Sequence, residues 1–489
     1  MVIAEQISTK KLTQSNTGVA SKTSISLKSK ETIALIGAGI VNLISAYYLL
    51  EAGYAITIYD ASPDPREGEH WSKYGCSRSG GDARMFTLTE ADNYNDKKFT
   101  DASNFNSLFR HSVSNHGWVI GKTSSMSTFE RTWIHEYETV PPWLANVYNK
   151  DIFSFNYESQ QLWENLIQGS AQLFEDVELK ADILRLYSDE LHYWQSVKRH
   201  KNLGSLKRVL TANELIQEHP ALTDACKNGL VAGAMEVIGF TLNIHKFISK
   251  LLNYLEKANV KCFWNSRITA IIRDSDANVT GLMLSDQMIE SDHYVISPGV
   301  YGNKMLKETQ AENKIQGVLG GWITIPNLSP KLRHSLKIAR KGHITEDMNV
   351  TLATTSHGEE VLIFGSGYGY TGLDPENIIP EQLEAMYLSI EDSIKHYFPN
   401  AYELAREKEL LKTSRRYCIR PWTSTSLGVF ETIESVNHGK LIITGGHNTG
   451  GFTQAPAIAS AVLAALRNEF HPMHQLYHPD RFTSFYSKT

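Results

Sequence analysis

Thr32-Ile-Ala-Leu-Ile-Gly37-Ala38-Gly39-Ile40-Val41-Asn42 opens a unit that Ala55-Ile-Thr-Ile-Tyr-Asp60 closes, with a helix-like run to Glu51 and Gly53 between them. The order is strand, glycine turn, helix, strand, acid. Gly37 permits the tight turn, and Gly39, lacking a side chain, lets a pyrophosphate approach the backbone at the helix N-terminus. Asp60 stands 23 residues after Gly37, where a carboxylate accepts ribose hydroxyls. A bound dinucleotide is expected, held at Gly37, Ala38, Gly39, Ile40, Val41, Asn42 and Asp60. The bland alternative is a glycine turn in a doubly wound domain that binds nothing. The third glycine of the usual pattern is Asn42 here. That glycine serves close helix–strand packing, so a slightly wider gap is expected.

The chain has 489 residues, 42% hydrophobic and 21% charged, with net charge −5. The length suits two or three domains, and the composition is that of a globular protein. The charge favours neither nucleic acid nor an anionic membrane as partner. The short basic run Lys198-Arg199-His200-Lys201 reads as a solvated loop. Cys76, Cys226, Cys262 and Cys418 are far apart, which fits a reducing compartment, and no Cys/His spacing points to a metal. Residues 1–30 are rich in Ser, Thr and Lys and read as a disordered tail. With no apolar signal core and no run of about 18 apolar residues, the expected location is cytoplasmic, with no integral membrane segment.

Working outward, residues 62–104 form an irregular stretch of a length that is usually functional or disordered. Residues 155–215 read as largely helical, with a short strand at 183–187. Residues 243–258 carry apolar positions at helical spacing, one face buried. Strand signals follow at 260–263, 268–271, 293–297, 317–326 and 361–365, and a helix at 380–397. Lys440-Leu-Ile-Ile-Thr444-Gly-Gly446 then enters a second glycine turn before an alanine-rich helix at 455–467. Two distant glycine turns imply a nucleotide-binding domain that is discontinuous in sequence.

Further blocks carry a family resemblance. They are Ser79-Gly-Gly-Asp-Ala-Arg84, Leu210-Thr-Ala-Asn-Glu-Leu-Ile-Gln-Glu-His-Pro220, Val295-Ile-Ser-Pro-Gly299-Val-Tyr, Cys418-Ile-Arg420-Pro421-Trp-Thr423 and Gly445-Gly-His447-Asn-Thr-Gly-Gly451-Phe-Thr-Gln-Ala-Pro456. With the Gly37 block, they resemble the D-amino-acid oxidase superfamily of FAD-dependent oxidoreductases, which includes glycine oxidases, bacterial D-amino-acid dehydrogenases and sarcosine oxidases. The resemblance spans about residues 31–482 and is thin over 85–150.

It implies an α/β fold: a discontinuous Rossmann-like FAD-binding domain (31–150, 227–305 and 410–489) and an α+β substrate-cap domain with a mainly antiparallel sheet (151–226 and 306–409). It implies FAD rather than NAD, contacted also by Ser79, Gly81, Arg84, Ile268, Gly299, Cys418, Gly446, His447, Thr449, Gly450, Gly451, Phe452 and Thr453. Bare backbone ahead of a helix suits a flavin edge, because the helix dipole stabilises negative charge there; a plain helix-capping loop is the other reading. The implied activity is oxidation of a small-molecule substrate, an amino acid or related amine, with oxygen or another electron acceptor.

By resemblance, Arg420 grips the substrate carboxylate, for which a guanidinium fork is suited; the alternative is a structural salt bridge. Tyr368 falls where a cap strand lines the substrate site, or is a core aromatic. Cys418 falls where sarcosine oxidases attach flavin covalently; an inert buried cysteine is the other reading, and Arg415, Arg416 and Arg420 are neighbours able to favour a thiolate. The sarcosine-oxidase carboxylate ligands correspond to Thr87 and Thr453, neither cationic, and the lysine that promotes oxygen reaction is absent near Ile363. After Thr423 the family pattern is replaced by Ser424-Thr-Ser-Leu-Gly-Val-Phe430, so the substrate is not transferred. Rival readings are a secondary-amine oxidase, a flavin-holding scaffold without turnover, and an NAD-dependent dehydrogenase.

Overall fold

The structure is a computed structural model, described here for residues 30–75, 83–91, 118–120, 123–341 and 347–482. The tail expected at 1–30 falls almost wholly outside this set, as do Cys76, Ser79 and Gly81. Among the described residues, those from Glu31 onward form one compact unit.

A six-stranded sheet runs in the order Val429–Glu434, Lys440–Gly445, His293–Ile296, Thr32–Ile36, Ala55–Tyr59, Lys261–Phe263. All its pairings are parallel except the first. Side chains alternate across a strand, and both faces are used. Ile33 and Leu35 pack with the helices Ile40–Glu51, Pro142–Gly169, Ile244–Lys257 and Gly451–Leu466. Ala34 and Ile36 pack against a small antiparallel sheet of Ile268–Arg273, Val279–Leu284 and Gln287–Ile289. The opening and closing glycine turns, far apart in sequence, thus leave strands separated only by His293–Ile296.

The Ile244–Lys257 helix follows its pattern. Asn243 caps it by accepting from the N–H groups of His245 and Lys246, and Ile244, Phe247, Ile248, Leu251, Leu252 and Leu255 are buried. The closing helix starts at Gly451, four residues before the expected start, and contains Pro456.

The second sheet runs Arg416–Trp422, Gln316–Pro326, Glu360–Gly372, Asp347–Thr354, Ser335–Ala339, Lys180–Tyr187, Gly233–Asn243, Ala83–Thr87. Its pairings are antiparallel except Ser335–Ala339 with Lys180–Tyr187, and the short Trp118–Ile120 strand alongside Glu360–Gly372. Alternation sorts its faces. Ile323, Ile325, Leu336, Ile338, Val350, Leu362 and Phe364 pack on the Pro380–Tyr397 helix. Trp322, Asn349, Thr351, Ile363 and Gly365 take the opposite face and look into a cleft. This sheet also takes Ala83–Thr87, Gly233–Asn243 and Arg416–Trp422, all within segments expected for the cofactor domain. The 155–215 stretch contributes two strands, Lys180–Tyr187 and Leu206–Leu210, besides its helices.

Candidate active site

The opening turn is tight for reasons visible in its atoms. Gly37 has φ +94°, and a Cβ there would stand 2.5 Å from the Ser297 carbonyl oxygen, so a side chain is excluded twice over. Asn42, at the position of the usual third glycine, bonds the helix to the turn. It is fully buried, and its Nδ2 donates to the carbonyls of Ile36 (2.8 Å) and Gly37 (2.9 Å). The amide thereby fastens helix to turn where a glycine would only let them approach.

Asp60 braces the same turn. Its Oδ2 accepts from the Ala38 N–H at 2.5 Å and its Oδ1 from the Ser62 N–H at 2.7 Å. An ionised carboxylate offers about four acceptor sites, so capacity remains for ribose hydroxyls.

Between the sheets lies a cleft of about 500 Å³, within the usual range for small-molecule sites. Its wall includes Gly37, Ala38, Gly39, Ile40, Val41, Asp60, Arg84, Ile268, Gly299, Cys418, Arg420, His447, Thr449, Gly451 and Phe452. The structure thus brings most of the expected contacts together. Gly446, Gly450, Thr453 and Asn42 are not on the wall. Gly446 supplies a positive φ (+68°) behind the turn, and Gly450 packs on Ala91, whose Cβ would lie 2.8 Å from an added Cβ. Thr453 is buried, its carbonyl accepting from the Trp163 indole at 3.1 Å.

Two helix N-termini, at Gly39–Ile40 and Gly450–Gly451, meet this cleft, and neither helix carries a side-chain N-cap bond. Such ends attract anionic groups. With the bare turns and Asp60, they fit a pyrophosphate-containing dinucleotide. His447 adds no charge: burial lowers its pKa to about 3, and its Nε2 lies 3.0 Å from Thr444 Oγ1.

Arg420 is half-buried, and its Nη1 donates to the Gly367 carbonyl at 3.1 Å. Its guanidinium carbon lies 5.4 Å from the Trp322 ring centroid and 5.5 Å from that of Tyr368, within cation–π range. No carboxylate pairs with it among the described residues. Gly320 makes the room, since a Cβ there would stand 1.9 Å from Arg420 Nη2. Tyr368 is not on the cleft wall. It packs with Tyr137, Tyr370 and Trp422 and supports Arg420 from behind. Cys418 is only 3% exposed yet lines the cleft. Arg415 is engaged elsewhere, by Glu384 at 2.6 Å and Glu391 at 2.8 Å.

Sequence reasoning missed Trp322, Gly320, Asn349, Thr351 and Glu90. The Gly320-Gly321 pair inside a strand was the available signal, because glycine in a strand marks close approach. Glu90 had none: it lines the cleft through a buried ion pair with Lys337 at 2.6 Å, formed across 247 residues.

A profile described as DAO, FAD dependent oxidoreductase, matches residues 32–465. The chain belongs to that family. It is therefore an FAD-dependent oxidoreductase, and the family implies FAD as cofactor. Among curated relatives, D-amino acid dehydrogenase of Vibrio cholerae serotype O1 is 21% identical over 447 residues, covering 91% of this chain and 97% of the relative. D-amino acid dehydrogenase 1 of Mesorhizobium japonicum is 22% identical, covering 89% and 96%. Solved structures with the same fold include glycine oxidase from Bacillus cereus (TM-score 0.60, 14% identity, 91% and 97% covered). L-proline dehydrogenase from P. horikoshii is another (TM-score 0.62, 15% identity, 93% and 98% covered). No helix among the described residues of this DAO-family chain is long and apolar enough to cross a membrane.

Proposed function

We propose that this protein oxidises an amino acid, or a closely related amine, to the imine, with Arg420 as the carboxylate-binding residue. One observation carries the reading: a half-buried guanidinium with no described carboxylate partner stands in the wall shared with both glycine turns. A desolvated cation of that kind favours an anionic ligand and orients it through two parallel bonds.

FAD, when bound, supplies the two-electron acceptor, flavin N5, for the substrate's α-hydrogen as hydride. Arg420 fixes the carboxylate, and with it the direction of the α-carbon. Trp322 and Tyr368 hold the guanidinium in place. Ile363 and Cys418 give the wall an apolar stretch that displaces water. No side-chain base is required, because the amine reacts in its neutral form, having released its ammonium proton to solvent; position and electrostatics are the protein's share. The released imine hydrolyses to a carbonyl compound, and oxygen or another acceptor takes the electrons onward.

The D-amino acid dehydrogenases among the relatives support an amino-acid substrate. A sarcosine-type reaction has less support, because Thr87 and Thr453, at the corresponding carboxylate-ligand positions, are uncharged and buried off the cleft wall. The test is anaerobic flavin bleaching by a panel of primary and N-methyl amino acids of both chiralities. Bleaching by primary amino acids is expected. Bleaching by N-methyl compounds alone transfers the assignment to the secondary-amine oxidases, and bleaching by none refutes amine oxidation.

A further inference from the structure

Away from the cleft, three ligand-type side chains converge. Glu236 shares the face of the larger sheet that carries Leu184 and Leu336, opposite Trp322 and Asn349. Glu218 ends the Ala212–Glu218 helix, and His219 follows it. One ligand atom from each of Glu218, His219 and Glu236 lies within 4.8 Å of the others.

His219 is the unusual member. It is 4% exposed, and neither ring nitrogen has a hydrogen-bond partner. Its Nε2 points at Glu236 Oε1 from 4.0 Å, too far for a hydrogen bond. A buried imidazole is normally satisfied on at least one nitrogen. The His334 ring stands edge-on to it, centroids 5.2 Å apart.

Arg208 bonds the carboxylates without filling this gap. Its Nε and Nη2 donate to Glu236 at 2.8 and 2.9 Å, and its Nη1 and Nη2 donate to Glu218. Each carboxylate oxygen keeps a second lone pair. Two carboxylates and one guanidinium leave one negative charge beside the unbonded His219 ring, a setting that attracts a divalent cation.

We propose that Glu218, His219 and Glu236 bind a zinc ion, with water completing its coordination. Mixed nitrogen and oxygen donors suit Zn²⁺ and disfavour Mg²⁺, which prefers oxygen. Coordination draws the donor atoms about 1 Å closer than their present spacing. The ion ties the end of the Ala212–Glu218 helix to the Gly233–Asn243 strand. The site is assembled from separate segments, so no sequence spacing announces it.

The test uses the flavin-loaded full chain without a histidine tag, stripped with chelator and titrated calorimetrically with ZnCl₂ and, separately, MgCl₂. One equivalent of zinc is expected, at least 100-fold tighter than magnesium, with a rise in the thermal midpoint. His219→Ala should lose that equivalent with the flavin spectrum intact. If this variant does not fold, Glu218→Gln at the exposed helix end should weaken zinc at least tenfold. Absence of saturable zinc binding by the parent, or one equivalent bound unchanged by the variant that folds, overturns the proposal.

Discussion

The guanidinium of Arg420 lies against the bare α-carbon of Gly320, so close that a methyl group there would stand 1.9 Å from Nη2. The glycine clears the space that the cation occupies. Gly320→Ala would push the far end of a flexible side chain aside rather than break the strand. We expect KM for carboxylate-bearing substrates to rise at least tenfold, with the visible flavin spectrum unchanged. Steady-state kinetics beside the spectrum checks this.

Asn42 stands where a glycine is usual and donates two buried hydrogen bonds to the opening turn. Each is worth about 0.5–1.5 kcal/mol. Asn42→Gly, which restores the usual residue, is therefore expected to destabilise this chain by about 1–3 kcal/mol. Chemical unfolding of the apoprotein measures it.

The Glu90–Lys337 pair is buried on both sides, with side-chain exposures of 8% and 7%. Lys337→Met leaves an unpaired buried carboxylate and should cost about 3–5 kcal/mol. Adding Glu90→Gln should recover most of that loss, which a double-mutant cycle in denaturant reads directly.

The reach of sequence reading follows from the range of each interaction. The Gly37 turn, Asp60, the Ile244–Lys257 helix and the second glycine turn were legible because turn, cap and helical stripe are local. Gly233–Asn243 was not, because Gly239 sits where an added Cβ would meet the Phe86 carbonyl at 2.4 Å, a constraint imposed by a distant strand. The bonds of Asn42 were not legible, because its partners are main-chain carbonyls, which leave no sequence signature. Arg420 was chosen by resemblance, but its support by Gly320 and Trp322 depends on sheet register.

His447 gives a pH signature. Its pKa is lowered to about 3 by burial, against about 6.5 when unfolded. Below about pH 6.5 the unfolded chain binds a proton that the folded chain refuses, so stability falls with falling pH, down to about pH 3. The slope is about 1.4 kcal/mol per pH unit from this group. His447→Gln should remove that share of the acid limb and leave the slope above pH 7 unchanged, as read from unfolding curves across pH.

Cys418 lines the cleft. Acid precipitation of the holoprotein should release flavin to the supernatant. A yellow pellet that becomes colourless in Cys418→Ser would instead make Cys418 the attachment point.

The most direct test of the central claim is anaerobic mixing of amino acids with the purified protein, parent beside Arg420→Ala. The parent should be yellow and be bleached by at least one primary amino acid. The variant should stay yellow and need at least 30-fold more of that substrate, the equivalent of about 2 kcal/mol. A colourless parent, or a variant bleached at the same concentrations as the parent, would contradict the account.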